Sequence, residues 1–229
     1  AAVYSVAYTA STLILLAVSA INGSFNPWMY RKLKSNAQRD IAPIATQLCL
    51  LLAGTTFAMM IFAPDIVGIL ATKAYKEAIW IIPPVSASVF FVFVYMMFSN
   101  VEMFYDETQK ITLISILSTV VNLMLNAIFI PIFGYLAAGW TTLVSYLLLA
   151  LLHYALMRQA CRNHRIQTPI FDTKLILYLS IAVIFFAFVS LGLYTLGWAR
   201  YLVIALELII VFCCRKKLFT LLHHIKKGV

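Results

Sequence analysis

A chain of 229 residues that is 63% hydrophobic and only 11% charged, with a mean hydropathy of +0.95, cannot present a water-compatible surface. Such a composition excludes a soluble globular domain and points to an integral membrane chain. A net charge of +9 would suggest a nucleic-acid partner in a soluble protein; here no nucleic acid is expected, and the charge reports which loops lie on which side of a bilayer.

A hydrocarbon core needs about 20 apolar residues per helical crossing. Seven spans are predicted, over residues 3–26, 43–63, 80–101, 111–131, 138–157, 175–197 and 199–214, separated by Pro, Gly or charge clusters. The long apolar runs lack the alternation of an outer-membrane barrel. The expected fold is therefore an all-α, polytopic transmembrane helical bundle. Residues 1–157 hold five helices, 158–174 a basic loop, 175–214 two further helices and 215–229 a basic tail.

Span one, AVYSVAYTASTLILLAVSAINGSF, is too polar to face lipid all round. At 100° per residue, Tyr4, Tyr8, Ser11, Ser19, Asn22 and Asn26 project within roughly 80° of one another, with Leu15 the apolar member of the stripe. These six are candidate residues of a hydrophilic cavity; interhelical hydrogen bonding is the other reading. Arg31 follows at the span's end, a candidate headgroup contact or a simple interfacial anchor.

Beyond span two, Pro83 and Pro84 set the entry to span three, or a kink in it. Asn100 and Glu102 are candidates to line the cytoplasmic mouth at its exit, while Glu102, Asp106 and Glu107 read most simply as a solvated loop. Span four carries a second stripe, Thr112, Ser115, Thr119, Asn122 and Asn126. An isolated Asn in hydrocarbon leaves its amide unsatisfied at a cost of several kcal/mol. Asn122 and Asn126 are accordingly expected either to line the cavity or to lock span four against a neighbour. Pro131 and Gly134 are expected to end this helix, and Ala137, Ala138 and Gly139 to let the next approach closely. His153, near the cytoplasmic end of span five, is read as interfacial, with a proton relay as the alternative.

Glu207, in YLVIALELIIVF, is read as the one clear acid within a span. It is a candidate for proton coupling, with a protonated or hydrogen-bonded structural acid as the alternative. Cys49, Cys161, Cys213 and Cys214 lack metal-ligand spacing and read as small apolar residues, adjacent Cys213 and Cys214 also as a weak acylation signal. His223 and His224 fall in LFTLLHHIKKGV, read as a short interfacial amphipathic helix. No metal site, cofactor or enzyme motif is expected.

Fourteen of the 17 Lys and Arg follow spans one, three, five and seven, while Lys73, Lys76 and Arg200 lie on the opposite side. The positive-inside rule then places the C-terminus in the cytoplasm and the start of the chain outside. An outside start without a targeting segment is read as the mark of a longer protein, of which this is the C-terminal part.

Asn122, Asn126, Ile130, Pro131, Gly134, Ala137 and Ala138 resemble the N-x-x-x-N-x-x-x-I-P-x-x-G-x-x-G-A-A signature of the polysaccharide-transporter branch of the multidrug, oligosaccharidyl-lipid and polysaccharide exporter superfamily, with Ala137 at the second Gly position. Val3-Tyr4-Ser5-Val6-Ala7-Tyr8 resembles the opening of that family's eighth helix, and Pro27-Trp28-Met29-Tyr30-Arg31 its exit. The resemblance covers most of residues 1–160 and implies helices eight to fourteen of a fourteen-helix flippase. It further implies an undecaprenyl-diphosphate-linked oligosaccharide as cargo, moved across a bacterial plasma membrane for O-antigen, capsule or other surface polysaccharide. The implied partners are that lipid-linked cargo, membrane lipid, an N-terminal lobe of the same protein and polysaccharide polymerase machinery. A cation-coupled multidrug exporter is the alternative within the superfamily, and a polytopic glycan polymerase or glycosyltransferase the alternative of another class.

Overall fold

In a computed structural model, residues 2–70, 73–198 and 200–205 are described, and no strand occurs among them. Seven α-helices follow one another: α1 (Ala2–Lys34), α2 (Ile41–Ile61), α3 (Ala63–Leu70), α4 (Ile82–Phe104), α5 (Thr108–Phe133), α6 (Ala137–Asn163) and α7 (Thr173–Thr195). Short 3-10 turns at Gln38–Asp40, Lys73–Trp80 and Gly134–Leu136 join some of them. Residues 200–205 are helical, and the rest of the seventh predicted span lies outside the described residues.

Six predicted spans thus coincide with the long helices to within a few residues at most ends, α1 running on furthest, to Lys34. Among the described residues, five helical stretches are long and apolar enough to cross a membrane; α5 and α6, joined through three residues, count there as a single stretch, Thr108–Asn163. Short α3 and the 3-10 turn after it replace what the sequence reads as a plain connection.

Local chemistry explains the boundaries. Pro83 and Pro84 occupy the first positions of α4, where the missing N–H has no intrahelical role and φ is already helical. Asp172 caps α7 by accepting a hydrogen bond from the Leu175 N–H at 3.1 Å. Gly134, at φ +71°, ends α5. Two expectations are corrected here. Pro131 sits inside the last turn of α5 and does not stop it, and α1 continues through Pro27 to Lys34. Just past Pro27, Trp28 and Met29 are fully buried, and that packing outweighs the one backbone hydrogen bond Pro27 cannot make.

The chain divides into two compact units. One holds α1 up to Leu13 with Phe62–Gln167; the other holds Ile14–Ile61 with the described residues from Thr168 onward. In the first unit α4 is the core element, with every residue from Ile82 to Val94 buried. Helix α6 packs along it and α5 packs on α6. Gly139 permits this approach, since a Cβ there would lie 3.0 Å from Pro84 Cγ and 3.1 Å from Ile81 Cγ2.

Helix α5 differs sharply from α4. Only Ser118 is buried along it, while Leu113, Ile116, Leu123, Met124, Ile132 and Phe133 are exposed. In water such a face would be far larger than a monomeric soluble protein presents; against hydrocarbon it needs no cover. In the second unit α2 packs against α7, where Phe57 and Phe186 meet at 4.7 Å between ring centroids and the Tyr194 hydroxyl donates to the Met60 carbonyl.

Candidate functional site

The first unit brings polar side chains together in two places. One is a seam between α5 and α6. Asn122 donates through Nδ2 to Ser145 Oγ at 3.0 Å, Asn126 donates to Asn122 Oδ1 at 3.1 Å, and Thr141 donates to Asn126 Oδ1 at 2.5 Å. Ser118 adds a bond to the Ser145 carbonyl at 3.1 Å. Of the two roles open to the asparagines, this geometry describes the lock. The remaining members of that stripe are exposed and self-sufficient: Thr112, Ser115 and Thr119 each donate to a carbonyl one turn back in α5, so none carries an unmet hydroxyl into its surroundings.

The other place lies along α4 and α6. Glu102 Oε2 and His153 Nδ1 are 2.8 Å apart, with side-chain exposures of 0% and 1%. Tyr95 stacks on the imidazole at 5.5 Å and Tyr146 on Tyr95 at 6.2 Å. Tyr146 in turn lies close enough to Tyr4 and Tyr8 for their phenols to interact electrostatically, and Tyr4 stacks on Tyr8 at 6.1 Å. Tyr95 precedes Glu102 by seven residues, and Tyr146 precedes His153 by seven. Seven residues are close to two helical turns, so α4 and α6 run parallel and in register, and their contacts repeat.

These contacts correct the sequence reading of two residues. Glu102 is not a solvated loop acid; it is buried in α4, so Glu207 is not the one clear acid in an apolar helix. His153 is buried as well, not interfacial. The signal was present in the sequence: Phe91, Tyr95, Phe98 and Glu102 recur at helical spacing on one face of α4, and Tyr146, Leu149, Ala150, His153 and Met157 do so on α6.

The α1 stripe is uneven. Tyr8 is 44% exposed and Ser19 is exposed, whereas Ser11 and Asn22 are buried and Tyr4 and Asn26 are intermediate. Tyr4 reaches Thr142 Oγ1 at 3.4 Å, and Ser11 reaches Ser86 Oγ at 3.3 Å. Those two pairs tie the start of α1 to α6 and α4 within the first unit. Arg31 is exposed in the last turn of α1 beside Lys32 and Lys34. Glu207, Cys213, Cys214, His223 and His224 lie outside the described residues.

At the far end of the α5–α6 pair, an open groove of about 760 Å³ has a polar rim of Lys110, Gln159, Arg162 and Asn163 above apolar walls that include Leu113 and Leu152. Lys110 Nζ is 2.7 Å from Glu107. Among the described residues no three His, Cys, Asp or Glu side chains converge as a metal site would require. Comparison of the chain with protein-family models, with curated proteins and with solved structures returns no match.

Proposed function

We propose that this chain is a lobe of a membrane flippase that carries an undecaprenyl-diphosphate-linked oligosaccharide from the cytoplasmic to the outer leaflet of a bacterial plasma membrane. The observation that carries the reading is the contrast between α5 and the α1–α4–α6 interior. One presents an apolar face that suits lipid, and the other holds phenols and hydroxyls in an apolar bundle.

A glycan headgroup cannot cross hydrocarbon with its hydroxyls unpaired, and it needs partners that are both flat and hydrogen-bonding. Tyrosine offers a ring for the sugar's apolar face and a hydroxyl for its polar edge. Tyr4 and Tyr8 on α1, with Thr142 and Tyr146 on α6, supply such a surface. The diphosphate requires cations, and the α5–α6 groove provides Lys110 and Arg162 above an apolar wall fit for the start of a prenyl chain. In the orientation expected from the basic loops, this groove opens at the cytoplasmic face, where the cargo is made.

The buried Glu102 gives the drug-export reading its own support, because an acid beneath an aromatic stack also suits a flat organic cation. Undecaprenyl-linked oligosaccharides, measured by mass spectrometry in cells with and without the gene, separate the two. Accumulation of completed repeat units in the deletion, relieved by the restored gene, supports flipping. Unchanged intermediates together with heightened sensitivity to cationic drugs would favour export of drugs.

A further inference from the structure

Glu102 and His153 form a pair whose hydrogen bond uses only half of its polar atoms. Glu102 Oε1 and His153 Nε2 are both buried without a hydrogen-bond partner. If packing alone were served, an apolar pair of similar volume would fill the same space without that desolvation cost. A carboxyl and an imidazole joined through one hydrogen bond can differ by one proton while keeping the bond. With Glu102 ionised and His153 neutral, the imidazole N–H donates to the carboxylate and the pair bears −1. One further proton on the pair, taken from water, makes it neutral overall and turns Nε2 into a donor. A second further proton would leave an imidazolium beside a neutral carboxyl and charge the pair to +1.

We propose that Glu102 and His153 together bind one exchangeable proton inside the bundle, reached past the phenols of Tyr8, Tyr146 and Tyr95. Tyr146 stacks on Tyr95 at 6.2 Å and Tyr95 on the imidazole at 5.5 Å, while Tyr8, 44% exposed, acts on Tyr146 through space. Each phenol both donates and accepts, so these rings set polar groups beside the pair in a largely apolar interior, where Ser86, Ser88 and Asn100 are the other buried polar residues of α4.

The surroundings leave the charge change to the pair itself. From α4 the other ionisable side chain facing it is Tyr95, and from α6 it is Tyr146; the Met157 backbone N–H acts on the carboxyl without making a hydrogen bond of ordinary geometry to Oε1. Glu107, at the start of α5, acts on Glu102 through space and is itself matched by Lys110, the one charged residue of α5. A proton fits the donor set better than a metal does, since among the described residues no third metal-ligating side chain joins the two.

The consequence for helix packing follows from the register. Neutral, the pair sits comfortably in its apolar surroundings; at −1, α4 and α6 must part or admit water to hydrate it. Proton binding would thus bias the α4–α6 contact between two arrangements. This assignment rests on the chain spanning a membrane, as proposed above, but not on the nature of the cargo.

The test is infrared difference spectroscopy of the full chain in lipid nanodiscs, titrated between about pH 5 and about pH 9. The wild type is expected to show a reversible protonated-carboxyl band that Glu102→Gln abolishes and whose midpoint His153→Gln moves by at least about one pH unit. After a pH jump, Tyr95→Phe is expected to slow its appearance at least about tenfold while leaving the midpoint in place. An identical titration in Glu102→Gln or His153→Gln overturns the site, and an unchanged rate in Tyr95→Phe overturns the route. Should those variants fail to fold, the imidazole nitrogen-15 resonances of His153, read with His164, His223 and His224 replaced by Gln, serve instead. A change of tautomer or charge with pH supports the site, and invariance overturns it. Flipping that fails in a chain whose titration is intact contradicts the cargo reading alone.

Discussion

Glu102 of α4 and His153 of α6 meet at 2.8 Å with both side chains buried, and the Tyr95–Tyr146 stack repeats the same pairing of helices seven residues earlier. The two contacts fix the register of helices that lie 51 residues apart in sequence.

Breaking this pair from one side leaves a buried polar group alone. His153→Ala and Glu102→Ala are each expected to destabilise the fold by about 3–5 kcal/mol, whereas the double change Glu102→Leu with His153→Phe is expected to cost far less. Thermal unfolding in detergent, compared across the three variants, measures the difference. Equal losses in all three would show that shape, not pairing, holds α4 to α6.

The α5–α6 seam predicts a smaller effect. Asn122→Ala removes bonds to Ser145 and to Asn126 and is expected to cost about 0.6–1.7 kcal/mol, typical of interhelical hydrogen bonds in membranes. Ser115→Ala is expected to cost almost nothing, because its hydroxyl bonds only within its own helix. The same unfolding assay ranks them, and an equal loss from the two would remove the seam's role as a lock.

Much of the fold could be read before its coordinates. Apolar runs located six long helices because burial in lipid demands long uninterrupted hydrophobic stretches. Proline was harder to read: Pro27 and Pro131 look like ends, yet both lie inside helices, because Trp28 and Met29 anchor the backbone beyond the first and Gly134 supplies the real stop after the second. Glu102 was misplaced for a related reason. Its neighbours Asp106 and Glu107 suggested a solvated run, while the face it shares with Phe91, Tyr95 and Phe98 decides its burial. Which polar stripe meets which helix depends on tertiary register, and one strand of sequence does not encode that locally.

Close approach at Gly139 yields a third prediction. Its absent Cβ would stand 3.0 Å from Pro84 Cγ, in a ring that cannot swing aside. Gly139→Val is expected to push α6 from α4 and cost about 1–3 kcal/mol or more. Gly192→Val on α7, where nothing lies within 4 Å of the Cβ position, is expected to be tolerated in unfolding measurements.

The exposed face of α5 predicts how the chain inserts. Leu123 is 63% exposed near the middle of the helix. Leu123→Arg is expected to raise the insertion free energy of that span by about 2.5–3.5 kcal/mol on a glycosylation-mapping insertion assay. Lys110→Arg, which keeps the charge already present at the helix start, is expected to leave insertion unaltered. Equal insertion of Leu123→Arg and wild type would mean that this face does not meet lipid.

Reconstitution of the complete protein into liposomes containing lipid-linked oligosaccharide decides whether the chain belongs to a flippase for that lipid. The measurement is the fraction of glycan reached by a membrane-impermeant label over time. Accessibility is expected to rise with the protein present, more slowly in a Tyr4→Ala, Tyr8→Ala double variant and in a Lys110→Ala, Arg162→Ala double variant that remain folded. Accessibility no greater than in protein-free liposomes, under an imposed proton gradient of either sign, would contradict the flippase assignment.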